Sequence, residues 1–204
     1  MFIQHGSSCY PRMCFCAQDY LYDIWNWILK VRLQVDIEAQ RNVRMTSLPK
    51  LMVVASAGGH WVQLMRLRKA WNDLQVIYVS TEPGLADIVK TMARDEDNPD
   101  PIFASVTDAN LSKKLNLLRQ LFEVLILILR HRPDVIVTTG AAPGYFALRL
   151  GKLFGARTVW IDSMANAEKL SKSGQEVRKH ADLWLTQWEH LAGSEGPKFI
   201  GRVL

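Results

Sequence analysis

Beyond Cys16 the sequence contains no cysteine. Its three, Cys9, Cys14 and Cys16, crowd into an irregular N-terminal stretch. An odd number so placed builds no disulfide framework, and no set of histidines and cysteines at ligand spacing completes a zinc site. Neither a metal nor a cofactor is therefore expected, and the remainder suits a reducing compartment. Clustered basic residues are lacking too, as are zinc-finger, RNP and helix-turn-helix signatures, which argues against nucleic acid as a partner. A bilayer-spanning run of roughly 20 apolar residues is missing. The most apolar N-terminal stretch is interrupted by Asp23, Asn26, Lys30 and Arg32. It also lacks the uncharged core and small-residue cleavage site of a secretory signal.

What is present is enough for one compact domain: 204 residues, 49% of them hydrophobic, with a formal net charge of +5. The positive balance suits an anionic partner, such as phosphate or an acidic membrane surface. Residues 1–44 form an extension different in character from residues 45–204. From Asp19 to Glu38, Leu21, Ile24, Trp25, Ile28, Val31 and Val35 recur at helical spacing. With Tyr20, Tyr22, Trp27 and flanking basic residues, this stretch could lie in a membrane interface. It could equally be a loosely packed or disordered extension, or lie upstream of a true start at Met45.

From Leu51 the pattern alternates. Strands are expected at 51–55, 75–79, 102–104, 134–138, 158–161, 183–186 and 199–203. Helices are expected at 60–71, 85–93, 110–130, 144–154 and 174–180. Strands without polar alternation, separated by helices, predict a doubly wound, mostly parallel α/β sheet covered on both faces. The helix at 110–130 carries two apolar stripes. Leu111, Leu115, Leu118, Phe122, Leu125 and Leu129 form one; Leu117, Leu121, Val124 and Ile128 form the other. Either the helix is wedged between sheet and neighbouring helix, or one stripe faces a membrane or partner.

Ligands of such sheets bind at the carboxyl ends of strands, which selects four loops. Ser56-Ala57-Gly58-Gly59-His60 offers backbone N–H groups at a helix N-terminus, where the dipole favours an anion. It has neither the Gly-Lys-Ser/Thr ending of a Walker loop nor a GxGxxG pattern. A tight turn alone would also explain its glycines. Thr139 to Tyr145, with Gly140 and Gly144, is a second small-residue loop before a helix; close helix–strand packing is its simpler explanation. Asp162 ends a strand, where a carboxylate could act as a base or cap the next segment. Gln187-Trp188-Glu189 closes the last internal strand.

Taken in order, "SAGGHWVQLMRL", "RPDVIVTTGAAPGYFALRLGKLFGARTVWIDS", "ADLWLTQWEHL" and "KFIGRVL" resemble the acceptor-side subunits of two-component glycosyltransferases. These comprise the bacterial PssD-like exopolysaccharide proteins and the eukaryotic Alg membrane subunit. More distantly, the pattern resembles the N-terminal half of MurG, a GT-B enzyme. The resemblance implies a Rossmann-like, acceptor-binding domain. Its acceptor would be a polyprenyl-diphosphate-linked glycan, and its donor a UDP-linked sugar held by a separate nucleotide-sugar-binding chain. Ser56, Gly58, Gly59, Thr139, Gly140, Gly144 and Tyr145 would face the acceptor diphosphate. His60 would be the catalytic base, with Asp162 behind it. Gln187 and Trp188 match a Gln-Trp pair that relatives often follow with Pro-Glu, where this chain has Glu189-His190; Gln187, Trp188 and Glu189 are candidates for acceptor or partner contact. The length, one Rossmann half, suggests that a second half comes from another chain and that this one is inactive alone. Placement on the cytoplasmic face of a membrane, as a peripheral protein, is the matching expectation. The alternative is a non-catalytic recruiter of a separate transferase.

Overall fold

The computed structural model describes residues 26, 49–72, 74–109, 112 and 114–203. The readings of residues 1–44, and of Asn110 and Leu111, lie outside the described residues, Asn26 apart. Seven strands form one sheet: β1 (Lys50–Val54), β2 (Gln75–Ser80), β3 (Ile102–Ser105), β4 (Val135–Thr138), β5 (Arg157–Ile161), β6 (Leu183–Thr186) and β7 (Lys198–Phe199). Their spatial order is β3-β2-β1-β4-β5-β6-β7, and every neighbouring pair is parallel. Among the described residues from Lys50 on, five α-helices accompany them: α1 (Gly59–Arg66), α2 (Leu85–Asp95), α3 (Lys114–His131), α4 (Ala141–Leu153) and α5 (Lys172–Glu176). The expected doubly wound α/β fold is the observed one.

Burial on both faces explains why the strands are continuously apolar. In β1, Leu51 and Val53 join Trp61, Leu64, Leu67 and Val89 in one core. Met52 and Val54 join Val124, Ile128, Ala147 and Leu148 in the other. Alternate side chains of a strand point to opposite faces, so α1 and α2 cover one side and α3 and α4 the other. Leu64 is fully buried; truncating such a side chain to alanine costs about 2–5 kcal/mol.

Several boundaries depart from the sequence pattern for identifiable reasons. The expected helix at 60–71 ends as α1 at Arg66, and a 3₁₀ turn, Arg68–Trp71, follows. That turn seats Trp71 in the core, where its indole donates to the Tyr78 hydroxyl at 3.0 Å. Burial pushes the Tyr78 phenol up from its ordinary pKa. The helix α4 starts at Ala141, three residues before Gly144. The helix α5 starts at Lys172 because Ser171 caps it, its hydroxyl accepting from the Gly174 N–H. The last strand was expected over 199–203, but only Lys198–Phe199 pairs with the sheet. Gly201 turns the chain at φ +126, and the Val203 N–H goes to the Gln187 side chain instead.

The helix α3 divides its two stripes. Val124 and Ile128 are buried, whereas Leu115, Leu118, Phe122, Ile126 and Leu129 are exposed, Leu115 to 83% and Ile126 to 60%. The full wedging of this helix is thus not found among the described residues. No helix among them is long and apolar enough to cross a membrane.

Candidate functional site

The strand order reverses direction at β1, with β2 on one side and β4 on the other. The loops leaving β1 and β4 lead to helices on opposite faces of the sheet, and in this architecture the crevice between two such loops at the carboxyl edge is the usual ligand position. Two helices begin at that crevice with glycine N-caps and no capping side chain, Gly58 before α1 and Gly140 before α4. Their first-turn N–H groups are the unsatisfied donors that every helix start carries, except at Pro143, the third residue of α4, which has none. By contrast, α5 receives a serine cap. Gly58, at φ +82, and Gly140, at φ +122, occupy backbone conformations that favour glycine. An added Cβ at Gly58 or Gly59 would meet no atom within 4 Å. Open space therefore lies before this loop, and Ala57, Gly58 and Gly59 are exposed with Ser56 half-buried.

His60 is fastened across the crevice. Its Nδ1 lies 2.8 Å from the Thr139 carbonyl oxygen, and the Thr139 hydroxyl donates back to the His60 carbonyl at 2.7 Å. A carbonyl oxygen only accepts, so Nδ1 carries the proton. In the neutral ring Nε2 is then the acceptor, a tautomer fixed by the hydrogen bond on the other nitrogen. The ring is half-buried, and Gly140 keeps it in place: a Cβ there would fall 2.9 Å from its Cε1.

The second loop divides between chemistry and packing. Thr139 is fully buried and engaged with His60, so its contribution is to hold the imidazole. Gly144 is buried against β4, where a Cβ would fall 2.0 Å from Thr138 Oγ1. Close helix–strand packing therefore accounts for it, as the simpler reading of the sequence has it. Tyr145 is half-buried, with its hydroxyl 3.5 Å from Arg149 Nη1.

Asp162 takes the capping alternative. It is 2% exposed. Its carboxylate accepts from the Ser171 hydroxyl at 2.6 Å, the Ser171 N–H at 3.0 Å and the Trp160 indole at 3.4 Å. Its oxygens thus anchor the start of α5 and are closed off from the crevice. Of the two candidate bases, His60 is the one that keeps an uncommitted acceptor, Nε2.

Gln187 is also turned inward. It is 1% exposed, and its amide bonds to Gln63, to the Asp162 carbonyl and to the Val203 N–H. No polar atom of it is available to an acceptor or partner. Trp188 is half-buried, donates to the Met164 carbonyl at 2.9 Å and lies under the Arg202 guanidinium, 4.8 Å from its centroid. Glu189 is exposed and opens a short 3₁₀ turn. Gln63, an 8%-exposed amide on the buried face of α1, joins this group although no motif in the sequence singles it out. The signal available was a polar residue next to Leu64 on an otherwise apolar helix face. Among the described residues, no group of three or more His, Cys, Asp and Glu side chains could hold a metal ion.

Comparison with known proteins sets this geometry in a lineage. The UDP-N-acetylglucosamine transferase subunit ALG14 of Yarrowia lipolytica is 27% identical over 164 residues, covering 71% of this chain and 76% of that protein. The human protein of the same description is 25% identical over 182 residues, covering 76% and 82%. Among solved structures, MurG of Acinetobacter baumannii superposes with a TM-score of 0.55 at 12% identity, over 74% of this chain and 45% of that one. A glycosyltransferase of Rickettsia africae gives 0.50 at 12% identity, over 78% and 44%. The chain thus spans less than half the length of these solved structures, and what they share with it is the Rossmann-like fold. The family model described as "Oligosaccharide biosynthesis protein Alg14 like" matches residues 51–203, which is most of the chain and nearly all of its described part. The chain belongs to the Alg14-like family of oligosaccharide biosynthesis proteins.

Proposed function

We propose that this chain is the acceptor-binding and membrane-recruiting subunit of a two-component glycosyltransferase. It presents a polyprenyl-diphosphate-linked glycan to a UDP-linked sugar held by a partner chain. The observation that carries the reading is His60. Its Nδ1–H is committed to Thr139, so Nε2 is a ready proton acceptor beside two uncapped helix N-termini. The acceptor diphosphate lies against those N–H groups, where the helix dipoles favour negative charge. The acceptor hydroxyl attacks the anomeric carbon of the donor sugar and passes its proton to Nε2. The bond from that carbon to the UDP oxygen breaks as the new glycosidic bond forms, and UDP departs with the electron pair. A positioned base of this kind contributes about 10²–10⁴-fold. Stabilising the departing diphosphate falls to the partner, since one sheet edge accommodates one of the two substrates. The relatives' description as subunits supports a partner, and their description as UDP-N-acetylglucosamine transferase subunits supports N-acetylglucosamine as the sugar.

The lipid-linked acceptor has to be met at a membrane. The exposed stripe Leu115, Leu118, Phe122, Ile126 and Leu129 supports attachment by α3. Helices of this fold run antiparallel to the strands, so the start of α3 lies toward the same edge as His60. Lys114, Arg119 and Arg130 are also exposed on this helix, and basic side chains beside an apolar face favour anionic lipid. We place the protein peripherally, on the cytoplasmic leaflet.

The test is reconstitution. The chain, its nucleotide-sugar-binding partner and a synthetic polyprenyl-diphosphate glycan are assayed with UDP-N-acetylglucosamine, using wild type and His60→Ala. Transfer that needs both chains and falls about 10²–10⁴-fold in the variant is expected. Full turnover by His60→Ala would leave this chain as a recruiter without a reacting group. Turnover by the wild-type chain alone would remove the partner.

A further inference from the structure

We propose that Gln187 is a positioning residue for the transfer. Through Gln63 it sets the placement of α1, and hence of His60, and it does so only while the segment 201–203 is seated on it. The proposal rests on the function given above for His60.

The hydrogen-bond directions around Gln187 are fixed by chemistry. Its Oε1 accepts from the Val203 N–H at 3.0 Å, a group that can only donate. Its Nε2 donates to the Asp162 carbonyl at 3.0 Å, a group that can only accept, and to Gln63 Oε1 at 2.8 Å. Gln63 Oε1 accepts a further bond from the Met164 N–H at 3.3 Å, so its own Nε2 is the donor to Ser163 Oγ at 3.1 Å. The two amides are therefore oriented in one sense, with every polar atom satisfied. They join four separate stretches of chain: α1, the end of β5, the end of β6 and the segment after β7.

The Val203 peptide closes the arrangement. While its N–H goes to Gln187, its carbonyl accepts from Arg66 Nη1 at 3.2 Å, at the last turn of α1. Val203 is 3% exposed and packs in the same core as Leu64 and Leu67. The helix α1 is only eight residues long and is fixed along its length at three points. Thr139 holds it at His60, Gln187 holds it at Gln63 one turn later, and Val203 holds it at Arg66. Withdrawing Val203 leaves a buried amide oxygen without its donor, a state that favours rearrangement of the side chain. Rearrangement of Gln187 takes away the shortest of the three bonds on Gln63, leaving those to Ser163 and Met164, and the middle fixture of α1 is loosened. A reacting group displaced by about 1 Å can lose about 10²-fold in rate. Residues 201–203, which follow the last paired strand, are on this view a latch on the helix that carries the base.

The experiment uses Gln187→Ala, Gln63→Ala, the double variant, and a chain shortened to end at Gly201 with both glutamines retained. In the reconstituted pair each should lower kcat at least about 10-fold with KM for the nucleotide sugar within about twofold. The double variant should be no worse than either single one, because the two amides act as one unit. In the isolated chain, hydrogen exchange of the Val62 to Leu64 amides should rise at least about tenfold while Ile136 and Val137 in β4 stay protected. A lowered melting temperature with kcat within about twofold of wild type, or additive losses, would reduce the hub to a structural one and overturn the proposal. Unchanged exchange in α1 would overturn it equally. Should the wild-type pair transfer nothing, the functional reading fails, and exchange in the isolated chain still decides whether Gln187 holds α1.

Discussion

Replacing Gly140 with alanine tests the site at its tightest point. The added Cβ would sit 2.9 Å from His60 Cε1, 3.1 Å from Nδ1 and 3.7 Å from Trp160 Cζ2. Carbon atoms pack at about 3.5–4.0 Å, so something has to retreat by roughly 0.6–1 Å. Trp160 is fully buried and hemmed in by the core. The half-buried imidazole gives way. Its 2.8 Å bond to the Thr139 carbonyl then stretches beyond the roughly 3.2 Å limit for N–H···O bonds, and both tautomer and aim are lost. A displacement of this size costs about 10²-fold in turnover. The variant also carries a backbone penalty of about 1–3 kcal/mol, because alanine is strained at φ +122. Gly155→Ala separates the two effects. Gly155 has φ +86 and open space around its Cβ position, so it pays a backbone penalty without touching the site. Melting curves and transfer rates of the reconstituted pair should show both variants destabilised and only Gly140→Ala inactive. Equal turnover by the two, within about threefold, would mean that the seating of His60 is irrelevant to the reaction.

Gly59→Val should fold normally, with stability within about 0.5 kcal/mol of wild type, since its Cβ position is open and its φ ordinary. Its transfer to the lipid acceptor should be lost if a diphosphate closes on that loop, and retained turnover would place the diphosphate elsewhere. Leu118→Glu with Phe122→Glu, both on exposed positions, should abolish co-sedimentation with anionic vesicles without lowering the melting temperature; persistent sedimentation would acquit α3. Glu123 ties α3 to the Thr107 N–H at 2.6 Å and to the Thr107 hydroxyl at 2.9 Å. Burial raises its pKa, but these bonds and Arg119 outweigh that and hold it below the ordinary glutamate value. Its stabilisation is therefore complete above the unfolded value of about 4.3 and is lost as pH falls through the lower folded one. Urea titrations should find Glu123→Gln less stable by about 1–3 kcal/mol at pH 7, with the gap closing under acid; a gap that persists at pH 2 would contradict this.

The sheet was legible because its strands are buried on both faces. Apolar runs such as Leu51 to Val54 have no other home in a chain of this size. The glycine loops were legible for a related reason, as positions where side chains are excluded. Less visible was which polar residues face inward. Asp162 and Gln187 carry the same side chains as exposed site residues would, and only their contacts with Ser171 and Val203 reveal structural duty. Those contacts span 9 and 16 residues and depend on where loops return. Gln63 was masked by lying within an otherwise ordinary amphipathic pattern. For α3 both apolar stripes were recognisable, but the choice between core and surface depended on how far α4 overlaps it, a tertiary fact that periodicity does not hold. The strand expected at 199–203 failed because one glycine φ redirects the chain, a local event that apolar composition cannot register.

The central position of β1 has a consequence during synthesis. Its first partner, β2, follows within a few tens of residues, but its other flank pairs with β4, and the contact from Lys50 to Asp134 spans 84 residues. At roughly 5–20 residues per second, that flank emerges from the ribosome and waits on the order of 4–17 s for its mate. Throughout that interval Leu51 to Val54 present unpaired N–H and C=O groups beside bare apolar side chains, the composition of an aggregation-prone edge. A nascent chain stalled before β4 should therefore bind chaperones strongly and release them once β4 is extruded. Expression yield should then respond to synonymous codon changes in residues 81–134, which alter the length of the wait and nothing in the finished molecule.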